Sequence, residues 1–260
     1  MASRHFRNLV TLTLALFSVL ILSLGCTVAQ DDGSLSRVRS SGKLTIGIDP
    51  SYPPLAALDA QGRPVGYEID LATAISERIG VSPDFVSIDV GGIVDALLAR
   101  KIDVIVAGLS PDAGYGRRVV FSRPYFNDGQ IVIAREAYLT NLSTLSGRTV
   151  AVESGSNGDL ELRKRGSLLA NMRVSSFATI DLALEAVRLD KADAAVADAV
   201  TALAYAHRNT GMVTGDPFTD EEYGVVARSS DNSMMDAINR AIEGLDREGY
   251  LDALQAKWLR

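Results

Sequence analysis

Cysteine and histidine are almost missing from this chain of 260 residues, which holds one of the first and two of the second. One of the two histidines, His5, lies in the N-terminal leader, so only His207 remains for the folded part. That inventory excludes a histidine-based triad of familiar type and a His/Cys metal site. Missing too are a Gly-rich phosphate loop and a dinucleotide fingerprint, so no nucleotide cofactor is expected. Nowhere do four Lys or Arg residues cluster, and the formal net charge is −6. An acidic chain without a basic face is a poor partner for nucleic acid or for a polybasic membrane contact. No cofactor and no metal are expected.

One long apolar run is present, at the start. Residues 9–25, LVTLTLALFSVLILSLG, follow Arg4 and Arg7 and end in a small residue. This is the pattern of a secretory signal, although its length approaches that of a membrane span. Cys26 comes next, where bacterial lipoproteins carry their lipidated cysteine. The preceding SLG departs from the usual lipobox at Ser23. Cleavage after Ala29 is the alternative and would leave a free soluble protein. Removal of residues 1–25 would take the charge to −8. Residues 26–42 are polar and without period, and read as a flexible tether.

From residue 43 the chain alternates strand-like and helix-like segments. KLTIGID is a strand. Ile69, Ala72, Ile75 and Ile79 share a helical face that Gly80 ends. Residues 86–90 and 102–108 are further strands around a short helix carrying Val94, Leu97 and Leu98. The pattern then restarts with strands at 148–155, 172–177 and 192–198. A polar helix lies between Gly155 and Gly166, and an apolar one begins after Thr179. Such alternation predicts an α/β fold with parallel strands. Residues 96–108, ALLARKIDVIVAG, also align with residues 186–198, AVRLDKADAAVAD. Two similar halves follow, and ligands in open α/β sheets collect at the carboxyl ends of strands. Those ends are Asp49, Gly108, Glu153 and Asp198. Two extended crossings, 121–135 and 223–230, join the halves and suit a hinge near Gly129 and Gly224.

Six motifs in order, GIDPSYPPL (47–55), GYEIDLATAISERIG (66–80), IDVIVAGLS (102–110), FSRPY (121–125), ADAAVAD (192–198) and EGYLDALQAKWLR (248–260), resemble the extracellular solute-binding proteins of family 3. These are amino-acid-binding components of ABC importers. The resemblance implies a two-lobe clamshell, the type II periplasmic-binding-protein fold, with a mixed, mainly parallel sheet in each lobe. Lobe 1 would take residues 43–127 and 226–260, and lobe 2 residues 128–225. It also implies an exported monomer, at the cell membrane or in the periplasm, with ABC permease subunits as partners.

Carried over residue by residue, the resemblance assigns Asp49 and Tyr52 to the ligand, Tyr52 covering it with its ring. Gly108 and Ser110 would offer backbone and hydroxyl to an ammonium. Glu153, Ser156 and Asn157 would belong to the second-lobe site, with N–H groups at a helix start taking a carboxylate. Asp198 would pair the ammonium. Tyr52 is equally readable as a core tyrosine, and Asp198 as a helix N-cap.

The family's carboxylate-clamping arginine lies six residues before Phe121, where this chain has Tyr115. Two readings stay open. Either the loop is shifted around Gly114 and Gly116 and brings Arg117 into the site, or the clamp is absent and Tyr115 lines the cleft. Three cleft acids without a certain cation favour a cationic or amine-bearing ligand, with a polar amino acid as the near alternative. An exported dehydratase on the same fold, of the cyclohexadienyl type, is the rival function. Glu153 would then serve as general acid.

Overall fold

The computed structural model describes residues 32–259 apart from Asp112. The leader and Cys26 therefore lie outside the described residues. In chain order the elements are α1 (Ser34–Ser41), β1 (Lys43–Ile48), β2 (Ala57–Leu58), β3 (Pro64–Val65), α2 (Tyr67–Ile79), β4 (Ser82–Ser87), α3 (Val90–Leu98), β5 (Val104–Ile105), β6 (Val119–Asn127) and β7 (Gln130–Ala134). They continue with β8 (Thr149–Glu153), α4 (Asn157–Arg165), β9 (Arg173–Phe177), α5 (Ile180–Arg188), β10 (Ala194–Asp198), α6 (Ala199–Arg208), β11 (Val213–Thr214), β12 (Glu222–Arg228), α7 (Asn232–Arg247) and α8 (Tyr250–Trp258). No helix among the described residues is long and apolar enough to cross a membrane.

Two five-stranded sheets result, ordered β4-β1-β5-β12-β6 and β9-β8-β10-β7-β11. Each has the same arrangement. Three βα-linked strands run parallel (β4, β1, β5 and β9, β8, β10), and an antiparallel strand is added beside the third. The sheets are thus mixed, and their parallel portions come from the βα repeats.

The internal repeat persists to atomic detail. Arg100 and Asp190, equivalent in the alignment, are both left-handed, with φ of 58° and 60°. The N–H of Lys101 donates to Ala96 O and that of Lys191 to Ala186 O, at 3.0 and 2.8 Å. The carboxylates of Asp103 and Asp193 then accept the N–H of Thr45 and Thr149, at 3.1 and 2.7 Å. In both halves an aspartate after the turn fastens the incoming strand to its neighbour, so the matched Lys-x-Asp is a structural signature.

The helices follow their sequence signals. Ile69, Ala72, Ile75 and Ile79 of α2 are buried, and Gly80 closes it at φ 86°, where a Cβ would be strained. Met235, Ile238, Ile242 and Leu245 form the inner face of α7. Asp89, Ser156, Thr179 and Asp198 cap α3, α4, α5 and α6 through side-chain oxygens.

Three sequence expectations are corrected. Residues 34–41 are not tether but helix α1, which packs on α7. Val38 is buried there, and Ser34 shares a hydrogen-bonded cluster with Asp32 and Ser233. Most of the expected crossing at 223–230, residues 223–228, lies instead within β12, paired with β6 and β5. Gly224 is thus inside the first sheet, and residues 222–225 belong with lobe 1. The chain returns through 215–221, before Glu222. The third strand narrows from 102–108 to Val104–Ile105, the two residues paired with β1, and the backbone turns further on, at Gly108 with φ 58°.

Between the sheets the two crossings touch. Asp128 N–H donates to Glu221 O, Gln130 N–H to Thr219 Oγ1, and Asn127 Oδ1 accepts from Glu221 N–H. A Cβ on Gly129 would stand 1.8 Å from Thr219 O, so only glycine fits.

Candidate functional site

At the carboxyl ends of β8 and β10 and beside the loop after β1 is a cavity of about 250 Å³. Its walls are Tyr52, Asp128, Gln130, Glu153, Ser156, Asn157, Ile180, Val196, Ala197, Asp198, Glu221 and Tyr223. Both lobes and both crossings contribute. A larger cavity of about 440 Å³ lies among α6, α8 and the return crossing, away from those strand ends. The smaller one is the candidate site, because its position is where βα units present their loops to ligands.

Each wall residue is placed by local structure. Glu153 ends β8. Gly155 turns at φ 77°, and Ser156 then caps α4 by accepting from Asp159 N–H at 3.2 Å. Asn157 opens that helix. Asp198 ends β10 and caps α6, its Oδ1 accepting from Thr201 N–H at 2.8 Å. Its two readings, cap and cavity acid, are therefore compatible in one residue. Tyr52 is 38 % exposed, and its hydroxyl donates to Asp128 Oδ2 at 3.3 Å.

Of the residues expected to bind ligand, Tyr52, Glu153, Ser156, Asn157 and Asp198 line this cavity, and Asp49, Gly108, Ser110, Tyr115 and Arg117 do not. The Asp49 carboxylate is occupied: Oδ1 accepts from Ser51 N–H and Oδ2 from Val90 N–H, at 3.0 and 2.8 Å. Burial opposes its ionisation, but the bonds from Ser51 and Val90 outweigh that and hold it below the usual carboxylate range. Asp49 thus ties the loop after β1 to the start of α3. Tyr115 does not line the cleft as expected. Its ring packs on Phe121, centroids 5.7 Å apart, against the apolar cluster of Ile93, Leu97 and Val119. Arg117 and Arg118 are exposed and form no ion pair with any described residue. Ser110 lies in the loop after β5.

Gly108 stands beside the site rather than in its wall. A Cβ there would be 3.5 Å from the Tyr223 ring and 3.8 Å from that of Tyr52. Its N–H donates to Glu68 Oε1 at 2.6 Å, and Tyr125 OH donates to the same oxygen. Glu68 is buried and forms no ion pair with any described residue. Burial pushes its carboxyl up to about 7, the Tyr125 and Gly108 bonds pull it down, and the charge of Asp49 adds to the rise.

Four polar wall residues escaped the sequence reading, Asp128, Gln130, Glu221 and Tyr223, as did the apolar Ile180, Val196 and Ala197. Asp128 is 2 % exposed. Its Oδ1 accepts from Val200 N–H at 2.8 Å and its Oδ2 from Tyr223 OH at 2.5 Å. Burial first, then the charges of Asp198 and Glu221, raise this carboxyl to about 7 against the pull of Tyr223 and Val200. Glu221 is raised by burial and by Asp198. The hydroxyls of Tyr52 and Tyr223 are raised too, by burial and by the charge of Asp128. The wall therefore holds four carboxyl groups and no Lys, Arg or His. Such a cavity favours a ligand that brings positive charge. Among the described residues no group of three or more His, Cys, Asp and Glu could hold a metal ion.

The sequence profile of the bacterial extracellular solute-binding proteins, family 3, matches residues 44–260. The L-cystine-binding protein TcyJ of Escherichia coli (strain K12) is 27% identical over 233 residues, covering 88% of this chain and 86% of that protein. An ancestral cationic amino acid solute-binding protein superposes with a TM-score of 0.69 at 27% identity, covering 87% of this chain and all (100%) of that one. The L-cystine solute receptor of Neisseria gonorrhoeae, in its unliganded open conformation, superposes with a TM-score of 0.76. At 21% identity over 87% of this chain and 96% of that one, it speaks for the fold.

Proposed function

The chain belongs to the bacterial extracellular solute-binding proteins, family 3, and from that premise we infer that its cavity captures an amino acid or related solute bearing more than one amino or cationic group, for delivery to an ABC importer. The observation that carries the reading is the wall itself. Asp128, Glu153, Asp198 and Glu221 face one cavity without a basic side chain, and two tyrosines flank them. Several uncompensated carboxyl groups in a closing cleft are costly unless the ligand neutralises them. Asp198 pairs an ammonium while capping α6. The first turn of α4, at Ser156 and Asn157, supplies backbone N–H groups for a carboxylate, since a helix start attracts anions. Tyr52 and Tyr223 supply ring faces for the cation or its aliphatic stem. Arg117, exposed, contributes little.

Binding rather than catalysis fits this site. A dehydratase acting on a polyanionic acid would meet like charge on every side, and no cation in the wall would hold its carboxylates. Export fits the family, with Cys26 as the lipid attachment point. Cys26→Ser should then release the protein from membranes, while a soluble wild type beginning at Gln30 favours cleavage after Ala29.

Isothermal titration of the mature protein with L-arginine, L-lysine, L-cystine, putrescine and L-glutamate tests the reading. Binding is expected for one or more of the first four and not for L-glutamate. Preference for L-glutamate, or dehydration of prephenate-like acids, would overturn it.

A further inference from the structure

Asp128 belongs to neither sheet. It sits at the first crossing, between β6 and β7, and its single carboxylate reaches in both directions. Oδ1 accepts from Val200 N–H in the first turn of α6, on the side of lobe 2. Oδ2 accepts from Tyr223 OH on β12 and from Tyr52 OH in the loop after β1, both on the side of lobe 1. The three bonds cross the division between the lobes at the floor of the cavity. Tyr223 is buried, whereas Tyr52 is partly exposed and its bond, at 3.3 Å, is the longest of the three.

We propose that Asp128 is a positioning residue of the ligand cleft: one carboxylate holds the aromatic wall of lobe 1 against the start of α6 in lobe 2, and so sets both the tyrosine ring over the ligand and the angle between the lobes. The proposal rests on reading this cavity as the ligand site. It assigns the residue a task that neither sheet could perform, because a group mounted on the crossing keeps its place while the lobes turn about it. The Asp128 N–H donates to Glu221 O, which fixes the backbone of one crossing on the other. The long Tyr52 bond makes this the latch's weak arm, the part that lengthens first when the lobes rotate.

A second consequence concerns charge. The titratable groups facing Asp128 among the described residues are Tyr52, Tyr223, Asp198 and Glu221, all acids or phenols. Burial first, then the charges of Asp198 and Glu221, with no cation among the described residues to offset them, hold its carboxyl at about 7. A cationic group arriving beside it favours the ionised form, and the proton leaves to solvent. Binding of a cationic solute below and around pH 7 is thereby linked to release of up to one proton, and affinity rises with pH until Asp128 is ionised in the free protein.

Two measurements test this on the mature protein. Spin labels at exposed Gln61→Cys and Asp181→Cys, in a Cys26→Ser background, report the distance between lobes without ligand. Asp128→Ala should broaden or lengthen that distribution, and the Tyr52→Phe/Tyr223→Phe double variant, which keeps the carboxylate, should do the same. Unchanged distributions in folded variants would overturn the latch. The second measurement is the affinity for L-arginine between pH 5.5 and 8.5. The wild type is expected to gain about tenfold across the range, and Asp128→Asn to lose that dependence. An equal pH dependence in Asp128→Asn would overturn the proton linkage. If L-arginine binds at no pH, the cationic-ligand reading fails, and the ligand-free distances still decide the latch.

Discussion

Glu68 offers a sharp test of the energetics under the site. The carboxyl is 2 % exposed and accepts the Gly108 N–H and the Tyr125 hydroxyl, with no cation nearby. Its proton leaves at about 7 in the folded protein against an ordinary 4.5. Between those values the native state holds a proton that the unfolded chain has lost. Stability must therefore fall as pH rises from 4.5 to 7. At 1.36 kcal/mol per pH unit, the fall from this one group is about 3 kcal/mol. Asp128, raised to about 7, contributes to the same window. A direct reading of the wild type would mix the two, and substitution separates them. In Glu68→Gln the amide oxygen still accepts both bonds, and the side chain no longer titrates. Urea unfolding followed by circular dichroism, from pH 4.5 to 8.5, gives both profiles. The difference between variant and wild type should shift by about 3 kcal/mol in the variant's favour on going from pH 4.5 to 8. Parallel profiles would refute the reasoning, because Glu68 would then not be a buried, unneutralised acid.

Arg228→Met should destabilise by about 3–5 kcal/mol, since it strands the buried partner of an ion pair. The guanidinium pairs with Asp231 at 2.6 Å and donates to Leu97 O and Ile102 O, the carbonyls on either side of the Arg100 turn. Chemical denaturation reads the loss, and one under 1 kcal/mol would count against a buried pair. Gly129→Ala should cost at least about 2 kcal/mol, because its Cβ would collide with the Thr219 carbonyl and push the crossings apart. A normal melting midpoint would show that the crossings yield freely. Asp198→Asn should keep the α6 cap and the fold, because asparagine caps as well as aspartate. It should still lose about 2–5 kcal/mol of solute affinity by calorimetry. Arg117→Ala should change affinity by less than about 0.5 kcal/mol, as an exposed charge does; a large loss would place that arginine on the ligand.

Local patterns carried the fold well. The α2 face, the Gly80 stop, the α7 stripe and the caps at Thr179 and Asp198 are written in neighbouring residues, where period and capping chemistry act. The Lys-x-Asp match between the halves was visible and had a structural cause, the aspartate that fastens the next strand. Helix α1 was missed because it buries just Ser34 and Val38, too few apolar positions to produce a period. The hidden part of the cavity was nonlocal. Asp128 and Tyr223 are 95 residues apart and meet through a hydroxyl, which no spacing reveals. The one local hint was Asp128 directly before a glycine at the first crossing. Tyr115 misled for the opposite reason: its position relative to Phe121 fitted a binding-loop count, yet the aromatic pair itself drew the ring into the apolar cluster.

The contact of the two crossings has a consequence for how such a protein can be rebuilt. Residues 130–218 leave and re-enter the first sheet's half at points held together by Gln130 N–H on Thr219 Oγ1 and Glu221 N–H on Asn127 Oδ1. Lobe 2 is thus an insertion whose two ends are neighbours. A foreign lobe with equally close ends could replace it without stretching the host chain, because domain insertion succeeds where chain termini meet. Recognition chemistry carried by α4, α5 and α6 could then be exchanged as a unit, while Tyr52 and Tyr223 stay with the host.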